Sequence, residues 1–81
     1  MITMLKKELK LIITFHTTAE AIAMEKKSKA QGVAGRLSPV PREISAGCGL
    51  AWCAPLEERE NLREKLVYFG INYQEIHEVL V

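Results

Sequence analysis

The residues of this chain best suited to chemistry are its two cysteines, and they sit in different settings. Cys48 lies in Ser45-Ala46-Gly47-Cys48-Gly49, a glycine-bracketed turn between two extended stretches. Gly47 and Gly49 remove bulk on both sides of the thiol and let neighbouring backbone N–H groups turn inward as a nest for an anion. Such a thiol, if held near a helix amino end or a cation, is biased toward the nucleophilic thiolate. The plainer reading is that Gly-Cys-Gly is only a hairpin turn where a small residue was convenient.

Cys53 lies in Leu50-Ala51-Trp52-Cys53-Ala54, where strand alternation puts it on the face opposite Trp52. It reads first as a small packed residue, because free cysteine is among the most buried types. The alternative role is a resolving thiol for Cys48. An extended chain between the two would span about 16 Å, against about 4.4–6.8 Å between the Cα atoms of a disulfide, so pairing requires the loop to fold back.

Three further groups surround this chemistry. His16 ends the first apolar run and either orients or deprotonates a thiol or caps a strand in solvent. Arg42 either holds an anion near the turn or is a surface arginine on an edge strand. His77, Lys26, Lys27 and Lys29 read as solvated surface. Cys-x4-Cys with two distant histidines is a weak zinc signal, and no metal or other cofactor is expected. No phosphate-binding glycine loop, paired-carboxylate site or Ser-His-Asp pattern stands out.

The elements that must position these groups can be read from the pattern. Lys10 to Phe15 is a short β-branched and aromatic run, hence a buried strand. Thr17-Thr18-Ala19-Glu20 is a capping box that opens a helix, with Ala19, Ile22, Ala23, Met24 and Ala30 as its apolar stripe and Gly32 as its stop. From Gly35 to Ile44 the chain is extended, because Pro39 and Pro41 exclude a helix. The two prolines share a parity, so both missing donors face one side, which predicts an edge strand. Leu50 to Ala54 resumes as a strand, and Pro55 opens a second helix with Leu62, Leu66 and Phe69 on its inner face and Gly70 as its stop. Tyr73 to Val81 is read as a final strand, although Asn72 and Glu75 could cap a short helix.

This order predicts an α+β fold, a ferredoxin-like βαββαβ two-layer sandwich with a four-stranded antiparallel sheet in the order fourth-first-third-second. In it the end of the first strand, the start of the first helix and the Cys48 turn share one end of the sheet. The open fourth-strand edge makes a homodimer conceivable.

Size and composition bound the rest. Eighty-one residues suit one domain, 1–81, and 48% hydrophobic with 26% charged residues is the range of a folded globular chain. A net charge of +1 provides no broad field for nucleic acid or anionic membrane, so any anion site must be local. Phe15 and Trp52 without a basic and aromatic strand motif do not make an RNA platform. The apolar run near the start is too short to span a bilayer and no small-residue cleavage site follows it. A cytoplasmic location is therefore expected, with thiols kept reduced.

The stretch Pro39-Val40-Pro41-Arg42-Glu43-Ile44-Ser45-Ala46-Gly47-Cys48-Gly49-Leu50-Ala51, with Thr14-Phe15-His16-Thr17-Thr18 and Glu25-Lys26, resembles a family of small bacterial proteins described as selenium/sulfur carrier-like. The resemblance covers nearly the whole chain, and its Pro-Arg-x-Ile-Ser-x-x-Cys-Gly core is fairly specific. It implies that Cys48 matches the carrier cysteine, with Arg42, Ser45 and Gly49 in the surrounding motif. The implied function is a carrier that holds sulfur or selenium on Cys48 as a persulfide or selenosulfide between donor and acceptor proteins. A carrier of this kind is at most sulfurtransferase-like. Two competing readings remain: a non-catalytic anion-binding or regulatory module using the same loop and Arg42, and a thiol-redox sensor if Cys48 and Cys53 are close.

Overall fold

The computed structural model describes residues 8–41, 44 and 49–80. The first strand, β1, is Leu9–Phe15, and helix α1 follows as Thr18–Gln31. Strand β2 is Arg36–Pro39 and β3 is Leu50–Pro55. A single 3-10 turn, Leu56–Glu58, leads into helix α2, Arg59–Phe69, and the last strand β4 is Tyr73–Leu80. The elements form an α+β fold with one four-stranded antiparallel sheet in the order β2-β3-β1-β4. That order is the one read from the sequence, and the stretch after Asn72 is strand.

The prolines act at the edge as their parity requires. β2 is an outer strand, and Val40 N–H donates to Gly49 O at 3.1 Å, so the even-numbered donors of this segment face β3. Pro39 and Pro41 have the opposite parity, which turns their donor-less nitrogens toward the unpaired side.

β1 is central and buried on both faces. Leu11, Ile13 and Phe15 join the core with Ala21 and Met24 of α1, Leu62, Leu66 and Phe69 of α2, and Trp52 and Ala54 of β3. Both described helices therefore cover one face of the sheet, and alternation places Ile12 and Thr14 on the other, the helix-free face among the described residues. Pairing of β1 with β4 shifts register between Thr14 and Phe15. There the Thr14 hydroxyl stands in for the interrupted ladder: it donates to Glu75 O at 3.3 Å and accepts from Glu75 N at 3.1 Å. This hydroxyl bridge satisfies a main-chain donor and acceptor that the bulge takes out of pairing.

The helix ends follow the sequence more closely than the helix faces do. The Thr17 hydroxyl caps α1 by accepting from Glu20 N at 3.3 Å. The Glu20 carboxylate accepts not from Thr17 but from Asn72 N, at 3.2 Å, so it joins the start of α1 to the chain leading into β4. At the end of α2, Gly70 N and Ile71 N both return to Leu66 O, a Schellman closure. The last free carbonyl there, Phe69 O, accepts from Lys27 Nζ of α1 at 2.8 Å. Lys27 is thus more than solvated surface.

The apolar stripe read for α1 is corrected. Its buried residues are Ala21, Met24 and Ser28, whereas Ala19, Ile22 and Ala30 are exposed and Ala23 is half-buried. At about 100° per residue, Lys26 falls in the middle of the Ala19, Ile22, Ala30 arc, and burying that arc would desolvate its ammonium. The Ala21, Met24, Ser28 arc is free of charge, and it is buried at the cost of enclosing the Ser28 hydroxyl without a partner among the described residues.

Candidate functional site

Two places collect the chemistry-bearing residues, one at an end of the sheet and one on its helix-free face. At the end, Ile13 pairs with Trp52 and Thr14 with Ala51, so the finish of β1 lies beside the start of β3. His16 follows β1 directly and Gly49 precedes β3 directly, and both are exposed. The amino end of α1, capped by Thr17, opens at the same place. β2 reaches this end as well, with Pro39 paired to Leu50, and Ile44 N–H donates to Pro41 O at 3.0 Å. His16 has no hydrogen-bonding or ionic partner among the described residues.

Arg42, Ser45, Gly47 and Cys48 lie outside the described residues. Of the groups singled out in the sequence, the structure brings together His16, Gly49 and the helix start.

Cys53 is elsewhere. Its side chain is on the helix-free face, opposite Trp52 as alternation requires, but no described helix covers that face and Cys53 is half-buried. The expectation of a packed core cysteine is corrected accordingly. Strand register sets Arg36, Cys53, Ile12 and His77 in one row across the sheet. Ser38, Ala51, Thr14 and Glu75 form the next row on the same face. His77 Nε2 lies 2.9 Å from Glu75 Oε1.

A groove of about 690 Å³ runs along the β2 side of this face, lined by Lys10, Ile12, Arg36, Ser38 and Cys53 with Pro39, Pro41 and Pro55 as rigid walls. Sequence reasoning missed Arg36 and Lys10, because nothing local to either residue reveals the strand that will lie beside it. The available signal was the strand order itself: with β2 next to β3, Arg36 falls opposite Cys53. Among the described residues no cluster of three or more His, Cys, Asp or Glu is close enough to hold a metal ion. No described helix is long and apolar enough to cross a membrane.

Comparison with known proteins adds to this geometry. No solved structure matches the chain. A protein of Escherichia coli (strain K12), "Uncharacterized protein YtiA", is 40% identical over 50 residues, a match that covers 58% of this chain and 59% of that protein. The chain thus spans about three fifths of that relative's length. A family profile matches residues 10–78, from the second residue of β1 to within three residues of the last. With the motif around Cys48 and nearly the full set of elements inside that match, the chain belongs to the family described as "Putative Se/S carrier protein-like".

Proposed function

We propose that this protein carries sulfur or selenium between proteins as a persulfide or selenosulfide on Cys48. The observation that carries the reading is the meeting of Gly49, His16 and the amino end of α1 at one end of the sheet. Cys48 is the residue that precedes Gly49 in the sequence. A helix amino end favours a nearby thiolate over a thiol. Arg42 and Ser45 are the remaining groups of the motif, and their role is to hold the anionic persulfide. The ferredoxin-like sandwich accommodates this arrangement, since its hairpin between the second and third strands and its first strand-to-helix loop share an end.

The transfer balances without a cofactor. The Cys48 thiolate attacks the outer sulfur of a donor persulfide; a new S–S bond forms on Cys48, the donor's S–S bond breaks, and its electron pair leaves with the donor thiolate. An acceptor thiolate or other nucleophile then takes the outer sulfur, and Cys48 leaves as the thiolate.

Intact-protein mass measured after incubation with a cysteine desulfurase and cysteine tests this. A gain of about 32 Da per sulfur, removed by dithiothreitol, is expected in the natural chain and in Cys53→Ser and absent in Cys48→Ser. No gain in the natural chain, or a gain that survives Cys48→Ser, overturns the reading.

A further inference from the structure

We propose that the groove on the helix-free face is a second thiol site, in which Arg36 and Lys10 dock a small carboxylate-bearing disulfide that forms a mixed disulfide with Cys53. The proposal does not rest on Cys48 or on the carrier function.

Four observations converge on it. The groove, at about 690 Å³, is of the size that takes a small molecule. Cys53 lines it and is half-buried, so its thiol is neither sealed in the core nor loose in solvent. Arg36 is the direct cross-strand neighbour of Cys53, and such neighbours on one face have Cβ atoms about 4.5–5.5 Å apart. Lys10 stands on the other side of the same groove, on the strand that pairs with β3.

Among the described residues the positive charge of the groove is only partly offset. Arg36 has no carboxylate partner among the described residues. Among the described residues Lys10 pairs with Glu8, at 3.5 Å, and the Glu8 side chain is 65% exposed. The carboxylate of Glu75 lies beside His77 on the β4 side, away from β2. An arginine fork matches a carboxylate in two parallel hydrogen bonds, and a lysine adds a point charge. Ile12 and the three prolines supply an apolar floor and stiff walls. An anionic ligand held there has its sulfur presented to Cys53, and the Ser38 hydroxyl offers a further hydrogen bond.

The covalent step is thiol–disulfide exchange, and the disulfide is itself the oxidant. The Cys53 thiolate, its proton released to solvent, attacks one sulfur of the ligand; the Cys53–ligand S–S bond forms and the ligand's own S–S bond breaks. The electron pair goes to the departing half, which takes up a proton and leaves as the reduced thiol.

The test uses Cys48→Ser, so that Cys53 is the one thiol in the chain. Its alkylation rate by iodoacetate, an anion, is divided by its rate with neutral iodoacetamide; the thiolate fraction cancels and the ratio reports local charge. The expected ratio at low salt exceeds that of the same chain unfolded in urea by about threefold or more, and falls toward the unfolded value in 0.5 M salt, where the screening length is about 4 Å. Arg36→Gln, and more so Arg36→Gln with Lys10→Gln, should remove the excess, and Arg36→Lys should retain it. With oxidised glutathione as the probe, an adduct of about 305 Da reversible by dithiothreitol is expected on Cys53, forming more slowly in the double glutamine variant. A folded-state ratio equal to the unfolded one, a ratio unmoved by the glutamine substitutions, or no adduct overturns the proposal, and none of these outcomes bears on Cys48.

Discussion

Gly35→Ala should be among the most damaging single-methyl additions in this chain. Gly35 sits just before β2 with φ of 118°, a backbone conformation that side chains of L-residues avoid. A Cβ placed there would lie 2.3 Å from Trp52 Nε1, 2.8 Å from Trp52 Cε2 and 2.9 Å from the Cys53 carbonyl oxygen. None of these neighbours can retreat easily. Trp52 is 2% exposed in the core, its indole N–H donates to Ala34 O at 3.1 Å, and Cys53 O is main chain of a central ladder. The backbone conformation costs about 1–2 kcal/mol and the forced repacking about 1–3 kcal/mol. The sum, about 2–5 kcal/mol, approaches the whole net stability of a chain this small. At about 4–8 °C per kcal/mol, the melting midpoint should fall by at least about 8–16 °C.

Gly32→Ala is the control, since Gly32 also has positive φ, at 70°, but its added Cβ would meet nothing within 4 Å. It should lose about 1 kcal/mol, the conformational part alone. Urea unfolding followed by fluorescence of the one tryptophan, Trp52, measures both variants at the contact in question. If Gly35→Ala matches Gly32→Ala within about 0.5 kcal/mol, the close approach of β2 to the indole is refuted.

Two further substitutions test the helix packing. Ser28→Ala should be neutral or stabilising by about 0.5–1.5 kcal/mol in denaturant titration, because its buried hydroxyl has no partner among the described residues and alanine is the better helix former; a clear loss would mean that the hydroxyl is bonded. Lys27→Met should lower stability by about 0.5–1.5 kcal/mol in a thermal melt by freeing the Phe69 carbonyl at the end of α2, and no loss would show that water replaces the ammonium at no cost.

How much was legible in the amino-acid order depended on the range of the interaction. The cap at Thr17, the stops at Gly32 and Gly70, the inner face Leu62, Leu66 and Phe69, and the edge position of the Pro39 strand are local effects, carried by residues within a turn or by donors that proline lacks. The candidate residues around Cys48 were singled out as a run of adjacent residue types and lie outside the described residues. Tertiary structure decided what depends on distant partners. It turned α1 onto Ala21, Met24 and Ser28 because only that arc could meet the sheet without burying Lys26. It drew Glu20 away from its own helix end to Asn72, 52 positions along the chain. It also made Cys53 a groove residue rather than a core residue: alternation says that Trp52 and Cys53 face opposite ways, but only the placement of both helices on one side decides which of those ways is the interior, and only strand register brings Arg36 beside the thiol.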